Sequence, residues 1–535
     1  MRKQFIYISV AINMMILFVI INNPSFILSN TMALSAVGVI EFLILAGLYD
    51  FFQTKRTILR NYPLIGRARY IMEALRPKII QYFVESDIDG RPISRIYRNV
   101  VYQRAKGDIQ SIPFGTQLNV YEEGYEWLSH SLGAINSSEC DNQIKVKVGN
   151  LLCTQNYNAS IMNISAMSFG SLSQNAILAL NAGAKIGGFA HNTGEGGIST
   201  YHLENKGDLI WQFGTGYFGC RSDDGTFNKE KYKDSSSIET VKMIEMKLSQ
   251  GAKPGHGGIL PAKKNTPEIA KIRGVEPYTS IISPSYHTAF KTPIELIEFI
   301  QLLRELSNGK PIGFKMCIGS RAEFIAICKA MVETEIYPDF IVIDGGEGGT
   351  GAAPMEYSNS VGMPLREALA FAVDCLHGFN LKQHIRIVAS GKILTGFDII
   401  KNICMGADMV NSARGMMLSL GCIQALECNK NICPTGITTQ DPNLMKGLDV
   451  NNKKDRVARY HNETIHSMID LLSATGQNDI SKINRTHIFR RVSSTEIKTY
   501  DEIYPMIDTG AFLEGNIPKA YLQDFNIANI NSFIS

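Results

Sequence analysis

Apolar positions follow two distinct rhythms along the chain. Residues 5–21 form an uncharged run rich in Ile, Met, Val and Phe, the polar turn Asn22-Asn23-Pro24 breaks it, and a second apolar run covers 32–48, interrupted only by Glu41. Each run is near the lower limit of the roughly 17–25 residues that a membrane-crossing helix needs. A cleaved signal peptide is the alternative for the first run, but its apolar core is long and no Ala-x-Ala site follows. Arg2 and Lys3 precede the first run and Lys55, Arg56, Arg60, Arg67 and Arg69 follow the second, with no Lys or Arg between the runs. The positive-inside rule then puts both ends in the cytoplasm. The expectation is a helical hairpin over 1–52 anchored in the inner (cytoplasmic) membrane, with the remainder of the chain on the cytoplasmic side.

Over 53–150 basic residues alternate with aromatics and short apolar segments, which reads as a collar or linker without assignable chemistry. The second rhythm starts near residue 157: a short apolar run, a Gly-rich or polar loop, then a capped helix. Residues 161–167 read as a strand and 173–186 as a helix ending at Gly187-Gly188. Thr292-Pro293-Ile294-Glu295 is a capping box with proline in the first turn, opening a helix to about 306. Strands follow at 311–317, 339–344, 385–389 and 409–412, alternating with helices at 320–334, 364–376 and 396–404, and a further helix is expected over 455–472. Such alternation predicts an α/β fold with a parallel sheet. A (β/α)8 TIM barrel over 151–440 fits better than a Rossmann sheet, because no strand–Gly-x-Gly-x-x-Gly–helix opening is present. Residues 441–535 are expected to form a mostly helical extension.

Chemistry in such barrels gathers at the C-terminal ends of the strands. Met167-Ser168, Asn192-Thr193, Lys247, Lys315, Asp344, Ser390-Gly391-Lys392 and Asn411-Ser412 all fall there. Lysines within apolar strands are rare unless paired or functional, so Lys247 and Lys315 are either ion-paired or site residues. The densest glycine segment, Asp344-Gly345-Gly346-Glu347-Gly348-Gly349-Thr350-Gly351, follows a strand directly. Glycines let backbone amides approach a flat or anionic ligand closely. Ser390-Gly391-Lys392 and Ala413-Arg414-Gly415 occupy the late-strand positions where barrels often hold a phosphate.

Composition adds exclusions. In 535 residues, 45% hydrophobic and 19% charged, disorder is excluded, and a net charge of +3 gives no reason to expect nucleic acid. Ten cysteines are too sparse for a disulfide scaffold. Three of them, Cys422, Cys428 and Cys433, lie within twelve residues with five and then four between them, and Pro434 follows the last. Thiolates so spaced can converge on an iron–sulfur cluster, for which a Cys-Pro end is a recurring feature. Buried apolar thiols are the alternative. Together with the flat-ligand and phosphate loops, the cysteine loop suggests FMN beside a cluster.

Ser165-Ala-Met-Ser-Phe-Gly-Ser-Leu-Ser173, Asn192-Thr-Gly-Glu-Gly-Gly197, Gln250-Gly-Ala-Lys-Pro-Gly255, the segment from Asp344 to Pro354, Gly406-Ala-Asp408 and the cysteine loop together resemble the synthase portion of the glutamate synthase large subunit. The resemblance covers about 150–440. It implies a (β/α)8 barrel holding FMN beside a [3Fe–4S] cluster on Cys422, Cys428 and Cys433. It also implies reduction of 2-iminoglutarate, formed from 2-oxoglutarate and ammonia, to L-glutamate. Lys253 and Arg273 match family positions that contact the keto acid's carboxylates. The chain departs from the family where a second Glu and a Gln are usual, having Ile198 and Ile259, and it carries His256 where Glu is usual. A membrane hairpin stands where the full enzyme has its glutaminase domain, and fewer than 100 residues remain where it has a long β-helix. The pattern is closest to short glutamate-synthase-like proteins.

The expected FMN contacts are Met167, Ser168, Lys315, Asp344, Gly345, Gly346, Gly349, Ser390, Gly391, Lys392, Ala413 and Arg414. Lys315 is expected to stabilise negative charge on the reduced ring, and Glu195 to shuttle a proton or orient backbone. Electrons would arrive from a ferredoxin or an NAD(P)H-oxidising subunit, and ammonia from solution or a separate glutaminase subunit. Two other functions fit the same sequence: imine reduction with another keto acid or amine, as in N-alkylglutamate synthesis, and a membrane-tethered electron-transfer subunit.

Overall fold

The computed structural model describes residues 2–24, 27, 30–141 and 144–533, which fall into two compact units, 1–92 and 93–535. In the first unit, helix Arg2–Asn22 and helix Thr31–Phe52 are 21 and 22 residues long, and apolar enough to cross a membrane. Their large apolar side chains are mostly exposed, Met14 and Phe18 at 68% and Phe42 at 69% among them. The Asn30 side chain caps the second helix by accepting from the amides of Met32 and Ala33. At its far end Asp50 is fully buried and takes a two-pronged contact from Arg67, Nε to Oδ2 at 2.7 Å and Nη2 to Oδ1 at 2.8 Å.

The second unit is built on a closed barrel of eight parallel strands. In chain order these are β1 (Met162–Ile164), β2 (His191–Asn192), β3 (Leu209–Phe213), β4 (Val241–Lys247), β5 (Ile312–Met316), β6 (Phe340–Asp344), β7 (Arg386–Ser390) and β8 (Met409–Ser412). Each strand pairs with the next, and β8 closes on β1 with Ser412 opposite Ile164. Strands such as Phe340-Ile-Val-Ile-Asp344 are continuous apolar runs because both faces are covered, one by the barrel interior and one by the helices. Register is decisive at the C-terminal rim: Lys247 lies opposite Lys315, and Asp344 opposite Ser390.

At the other end a short antiparallel hairpin, Lys145–Val148 with Tyr157–Ser160, plugs the barrel. Val148 and Ala159 join Ile210, Met243, Phe340, Val342, Val388 and Met409 in one buried cluster inside it. The interior is therefore a packed core, which leaves the C-terminal rim as the place for a ligand.

The strands β5 to β8 and the helices Pro293–Leu306, Arg321–Thr334, Leu365–Gly378 and Gly396–Cys404 occur within a residue or two of their sequence positions. Their caps explain it: Thr292 accepts from the Glu295 amide, and Thr395 with Asp398 forms a reciprocal capping box. The first strand is shorter than 161–167, since from Ser165 the chain leaves the ladder to form the rim loop. The helix expected over 455–472 runs longer, Val450–Ala474, capped by Asp449. It packs on helix Gln174–Gly187 and on helix Gly396–Cys404, and so supplies the last helix of the ring.

Strand Ile488–Arg491 pairs with Glu126–Leu128 on one side and Ile497–Thr499 on the other, joining the C-terminal region to the segment before the barrel. Glu126, on the edge strand of this sheet, takes Arg366 Nη1 at 2.8 Å, Lys401 Nζ at 3.0 Å, the Tyr500 hydroxyl at 2.6 Å and the Arg490 guanidinium. Burial raises its pKa, but Lys401, Tyr500 and Arg366 outweigh this and hold it at about 2. Its folded pKa is thus depressed, so its contribution to stability is complete above pH ~4.5 and is lost as pH falls toward 2. Glu126→Ala leaves three cations around an empty position. We expect a loss of about 3 kcal/mol, at the low end for broken buried pairs because the partners keep some exposure, read as a lower denaturant midpoint. Glu126→Gln should remove most of the extra acid sensitivity between pH 4.5 and 2. An unchanged midpoint for Glu126→Ala would show the network to be incidental.

Candidate active site

Four charged side chains meet at the rim. Lys247, the last residue of β4, donates to Glu195 Oε1 at 2.6 Å, and both are largely buried. Glu195 comes from the loop after β2 and also feels Arg273 and Lys253. Lys253 and Arg273 lie on the long connection between β4 and β5, where Thr266 and Pro267 start the helix Pro267–Arg273. Lys253 Nζ donates to the Ala352 carbonyl at 2.8 Å, tying this connection to the glycine-rich loop. Arg273 Nη2 donates to Ser168 Oγ at 3.3 Å and to the Phe169 carbonyl at 3.1 Å, while its Nε has no partner among the described residues. A Cβ at Gly196 would sit 2.8 Å from Arg273 Nη2, so the guanidinium reaches this place only past a glycine.

The electrostatics of the group follow from burial. Desolvation would raise the Glu195 pKa, but Lys247, Arg273 and Lys253 outweigh it and leave the carboxyl below its usual range. Burial lowers Lys253 to about 8, helped by repulsion from Lys247, and lowers Arg273 to about 10. At neutral pH three cations therefore face one carboxylate, an arrangement that leaves two positive charges to be met by a ligand. Beside them is a small recess lined by Glu195, Lys247, Ser249, His256 and Gly258. His256 Nδ1 is engaged by the Gly257 carbonyl at 2.9 Å, and its ring packs edge-on against Tyr357.

Lys315 stands next to Lys247 in register, is 5% exposed, and has no hydrogen-bond or ion-pair partner for its ammonium among the described residues. Below it the buried carboxyl Glu245 accepts from Asn192 Nδ2 at 3.1 Å and from the Gln212 amide. Burial moves the Glu245 pKa up, against the pull of Lys315. Asp344 is engaged on both oxygens, by the Gly251 amide at 2.8 Å and the Ser390 hydroxyl at 2.9 Å, and so joins the β4, β6 and β7 loops. Glu347 caps helix Leu365–Gly378 through the Leu365 amide at 2.9 Å. Its carbonyl accepts from Arg414 Nη2 at 2.8 Å, and a Cβ at Gly349 would crowd the same guanidinium at 3.0 Å. Among the described residues the Arg414 guanidinium makes that one hydrogen bond, which leaves most of its donors for an anion.

The cysteine loop continues from helix Arg414–Ser419 and docks on the loop after β1. Ser173 N donates to the Ile437 carbonyl at 2.8 Å, and Gln440 Nε2 to the Gly170 and Leu172 carbonyls at 3.1 and 2.9 Å. Lys264, 2% exposed, joins the two loops by donating to the Ser171 carbonyl at 2.7 Å and the Cys428 carbonyl at 3.1 Å. Burial lowers Lys264 to about 8, opposed by the Cys428 and Cys433 thiols. Burial raises Cys422 to about 11, opposed by the Gln424 amide and aided by the Cys428 and Cys433 thiols. Burial also acts against ionisation of Cys433, but hydrogen bonds from Thr435 and Thr438 outweigh it and bring this thiol below its ordinary range. Among the described residues no three His, Cys, Asp or Glu side chains form a group for a single metal ion. A cluster of several irons spreads its thiolate ligands more widely than one ion does.

A family model described as a conserved region in glutamate synthase matches residues 126–478. The chain is also 36% identical over 505 residues, 87% of its own length and 96% of the other, to a glutamate synthase large subunit-like protein of Bacillus subtilis. The chain belongs to the glutamate synthase family. It is 35% identical over 321 residues to an archaeal glutamate synthase [NADPH] of Methanocaldococcus jannaschii, spanning 60% of each chain. Against the glutamate synthase [NADPH] large chain of Bacillus subtilis, at 31% identity, it spans 18% of that protein.

In this glutamate synthase family chain, Lys253, Arg273 and Glu195 from the sequence share one site, with Lys315 at the same rim. The glycine-rich loop, Ser390-Gly391-Lys392 and Ala413-Arg414 line the neighbouring part of that rim, with Lys392 itself exposed. Lys247, which the sequence marks as ion-paired or a site residue, is ion-paired to Glu195 within the site, and Lys264 was missed. A lysine ending an apolar strand signalled the first, whereas Lys264 sits among lysines in a polar stretch that carries no distinguishing pattern.

Proposed function

We propose that this protein reduces the imine of 2-oxoglutarate and ammonia to L-glutamate, from a barrel tethered to the cytoplasmic face of the inner membrane by its N-terminal hairpin. The carrying observation is the set of three buried cations against one carboxylate, beside Lys315, whose ammonium has no hydrogen-bond or ion-pair partner among the described residues. A keto acid with two carboxylates supplies the two negative charges that set lacks, with Lys253 and Arg273 as its anchors. FMN fits the adjoining rim: Lys315 for the electron-rich side of the ring, Arg414 and the Ser390–Lys392 turn for the phosphate, and Met167, Ser168, Asp344, Gly345, Gly346, Gly349 and Ala413 as backbone and shape. Bound there, FMN supplies hydride transfer to the imine carbon. Cys422, Cys428 and Cys433 fit a [3Fe–4S] cluster fed by a ferredoxin or an NAD(P)H-oxidising subunit.

Lys247 holds a proton on Nζ at the mouth of the pocket and is itself lowered in pKa, by burial first, with Glu195 opposing. Glu195, kept ionised, orients Lys247 and is a poor acid; its part is that of counter-ion more than of proton shuttle. Ammonia comes from solution or from a partner glutaminase. Anaerobic reduction of the purified protein, followed by 2-oxoglutarate and ammonia, tests this: the flavin spectrum should reoxidise and L-glutamate should accumulate. Failure with every keto acid would leave the electron-transfer subunit as the better function.

Ile259 forms one edge of the connection, pairing with Ile282, and Ile198 packs against the core. These apolar positions favour a second substrate, a primary amine in place of ammonia, which yields an N-alkylglutamate. Faster turnover with methylamine than with ammonia identifies that case.

Lys253 sets a pH dependence. Its folded pKa of about 8 means the anchoring charge is present below pH 8 and lost above it. We expect kcat/KM for the keto acid to fall as pH rises through about 8, and the fall to move upward in Lys253→Arg. A profile identical in wild type and Lys253→Arg would remove Lys253 from keto-acid binding.

A further inference from the structure

The segment after the hairpin carries an apolar stripe that folding of the first unit leaves open. Helix Ile65–Ile79 places Ile65, Met72 and Ile79 at seven-residue steps, with Ala68 and Leu75 between them at three- and four-residue steps. At 3.6 residues per turn these five positions share one face. The four large ones are 40–63% exposed. Arg69 and Arg76, seven apart, run along one edge of the stripe, and Arg67 and Lys78, eleven apart, along the other. Arg76 and Lys78 have no ion-pair partner among the described residues. On the reverse face Gly66 is buried against Leu59 of the short helix Thr57–Asn61.

The position of this helix follows from Asp50. That carboxylate, in the last turn of the second long helix, takes the Arg67 guanidinium through two bonds and the Leu64 amide at 3.2 Å. The first turn of the amphipathic helix is therefore pinned to the end of the apolar hairpin, at the level where a spanning helix leaves the bilayer. Arg67 is held by Asp50 and Arg69 pairs with Glu73 at 2.9 Å, which leaves Arg76 and Lys78, one on each edge of the stripe, to meet an anionic lipid surface: the stripe enters the acyl boundary and these two stems reach the phosphates.

We propose that helix Ile65–Ile79 lies in the plane of the membrane interface, apolar stripe inward, on anionic phospholipid. The proposal rests on the hairpin crossing the membrane. It is tested with the full chain carrying the photo-crosslinker benzoylphenylalanine at one of three exposed positions. These are Leu75 in the stripe, Glu73 on the reverse side, and Met14 on the first long helix. Each variant is reconstituted in phosphatidylglycerol or phosphatidylcholine vesicles. Lipid adducts are expected at Met14 in both vesicles, and at Leu75 several-fold above Glu73, with the Leu75 yield several-fold higher in phosphatidylglycerol. Arg76→Gln with Lys78→Gln should abolish that lipid preference. Adducts at Met14 without any at Leu75, equal yields at Leu75 and Glu73, no preference for phosphatidylglycerol, or a Leu75 adduct with protein alone overturn the interfacial helix while leaving the hairpin intact. Absence of lipid adducts at Met14 and Leu75 together overturns both.

Discussion

Arg273→Met is expected to lower kcat/KM for 2-oxoglutarate on the order of 10²–10³-fold, with KM carrying most of the change. The guanidinium is 5% exposed and has an unused Nε among the described residues, so it is already desolvated and aimed before a ligand arrives. Removing one partner of a buried charge pair costs about 2–5 kcal/mol, and each 1.4 kcal/mol is about tenfold. Methionine keeps the apolar stem that packs near Phe218, over whose ring the guanidinium lies at 5.2 Å. The loss should thus be of charge and donors, not of fold. Flavin content is the control, because Arg273 also holds the Ser168–Phe169 loop through two bonds. A variant with normal flavin content and unchanged KM would show that the keto acid is anchored elsewhere. Arg273→Lys should recover part of the loss, as a point charge without the fork.

The barrel was legible wherever strand and helix alternate with clear caps. Residues 311–412 carry Thr292-type capping, β-branched strands and Gly ends in the expected order, and the structure follows them closely. The other half was harder for physical reasons. β2 is two residues long, His191–Asn192, too short for any apolar run, and its existence is decided by its neighbours. β3, Leu209–Phe213, contains Trp and Gln and is fully buried, so it shows no alternation of polar and apolar positions. Its Gln212 pairs with Glu245 of β4, a contact between residues far apart in sequence. The site was legible as individual residues, but its sign was not. That Lys247, Lys253 and Arg273 gather around Glu195 depends on the connection over 248–311 folding back over the rim, which no local pattern announces.

The same long-range packing explains why the regions flanking the barrel looked inert. Residue 126 and residues 488–499 have ordinary compositions, yet Glu126 gathers cations from Arg366, Lys401 and Arg490 into one network. Helix Val450–Ala474 likewise fills the last place in the helical ring. A segment without a motif can still be what closes the fold.

Cys428→Ala should abolish the cluster signal in electron paramagnetic resonance and cut turnover with the protein electron donor to background, while leaving the barrel folded and flavin-loaded. Gln424, Leu426 and Asn431 all have positive φ, between 56° and 64°. Such conformations cost roughly 1–2 kcal/mol each for residues with a side chain, although Asn tolerates them better. Under the proposed function, ligand bonds to an inorganic centre would offset that cost. Around it Tyr102 donates to the Cys422 carbonyl at 2.6 Å, and Gln424 exchanges bonds with the Ile93 backbone. Lys264 holds the Cys428 carbonyl against the loop after β1. These backbone contacts do not involve the Cys428 sulfur, so its removal should spare them. The decisive comparison uses two donors. A chemical reductant that reaches flavin directly should still support 2-oxoglutarate reduction in Cys428→Ala, and the protein donor should not. Loss with both donors would point to a damaged flavin site. Retention of the resonance signal would exclude Cys428 as a ligand.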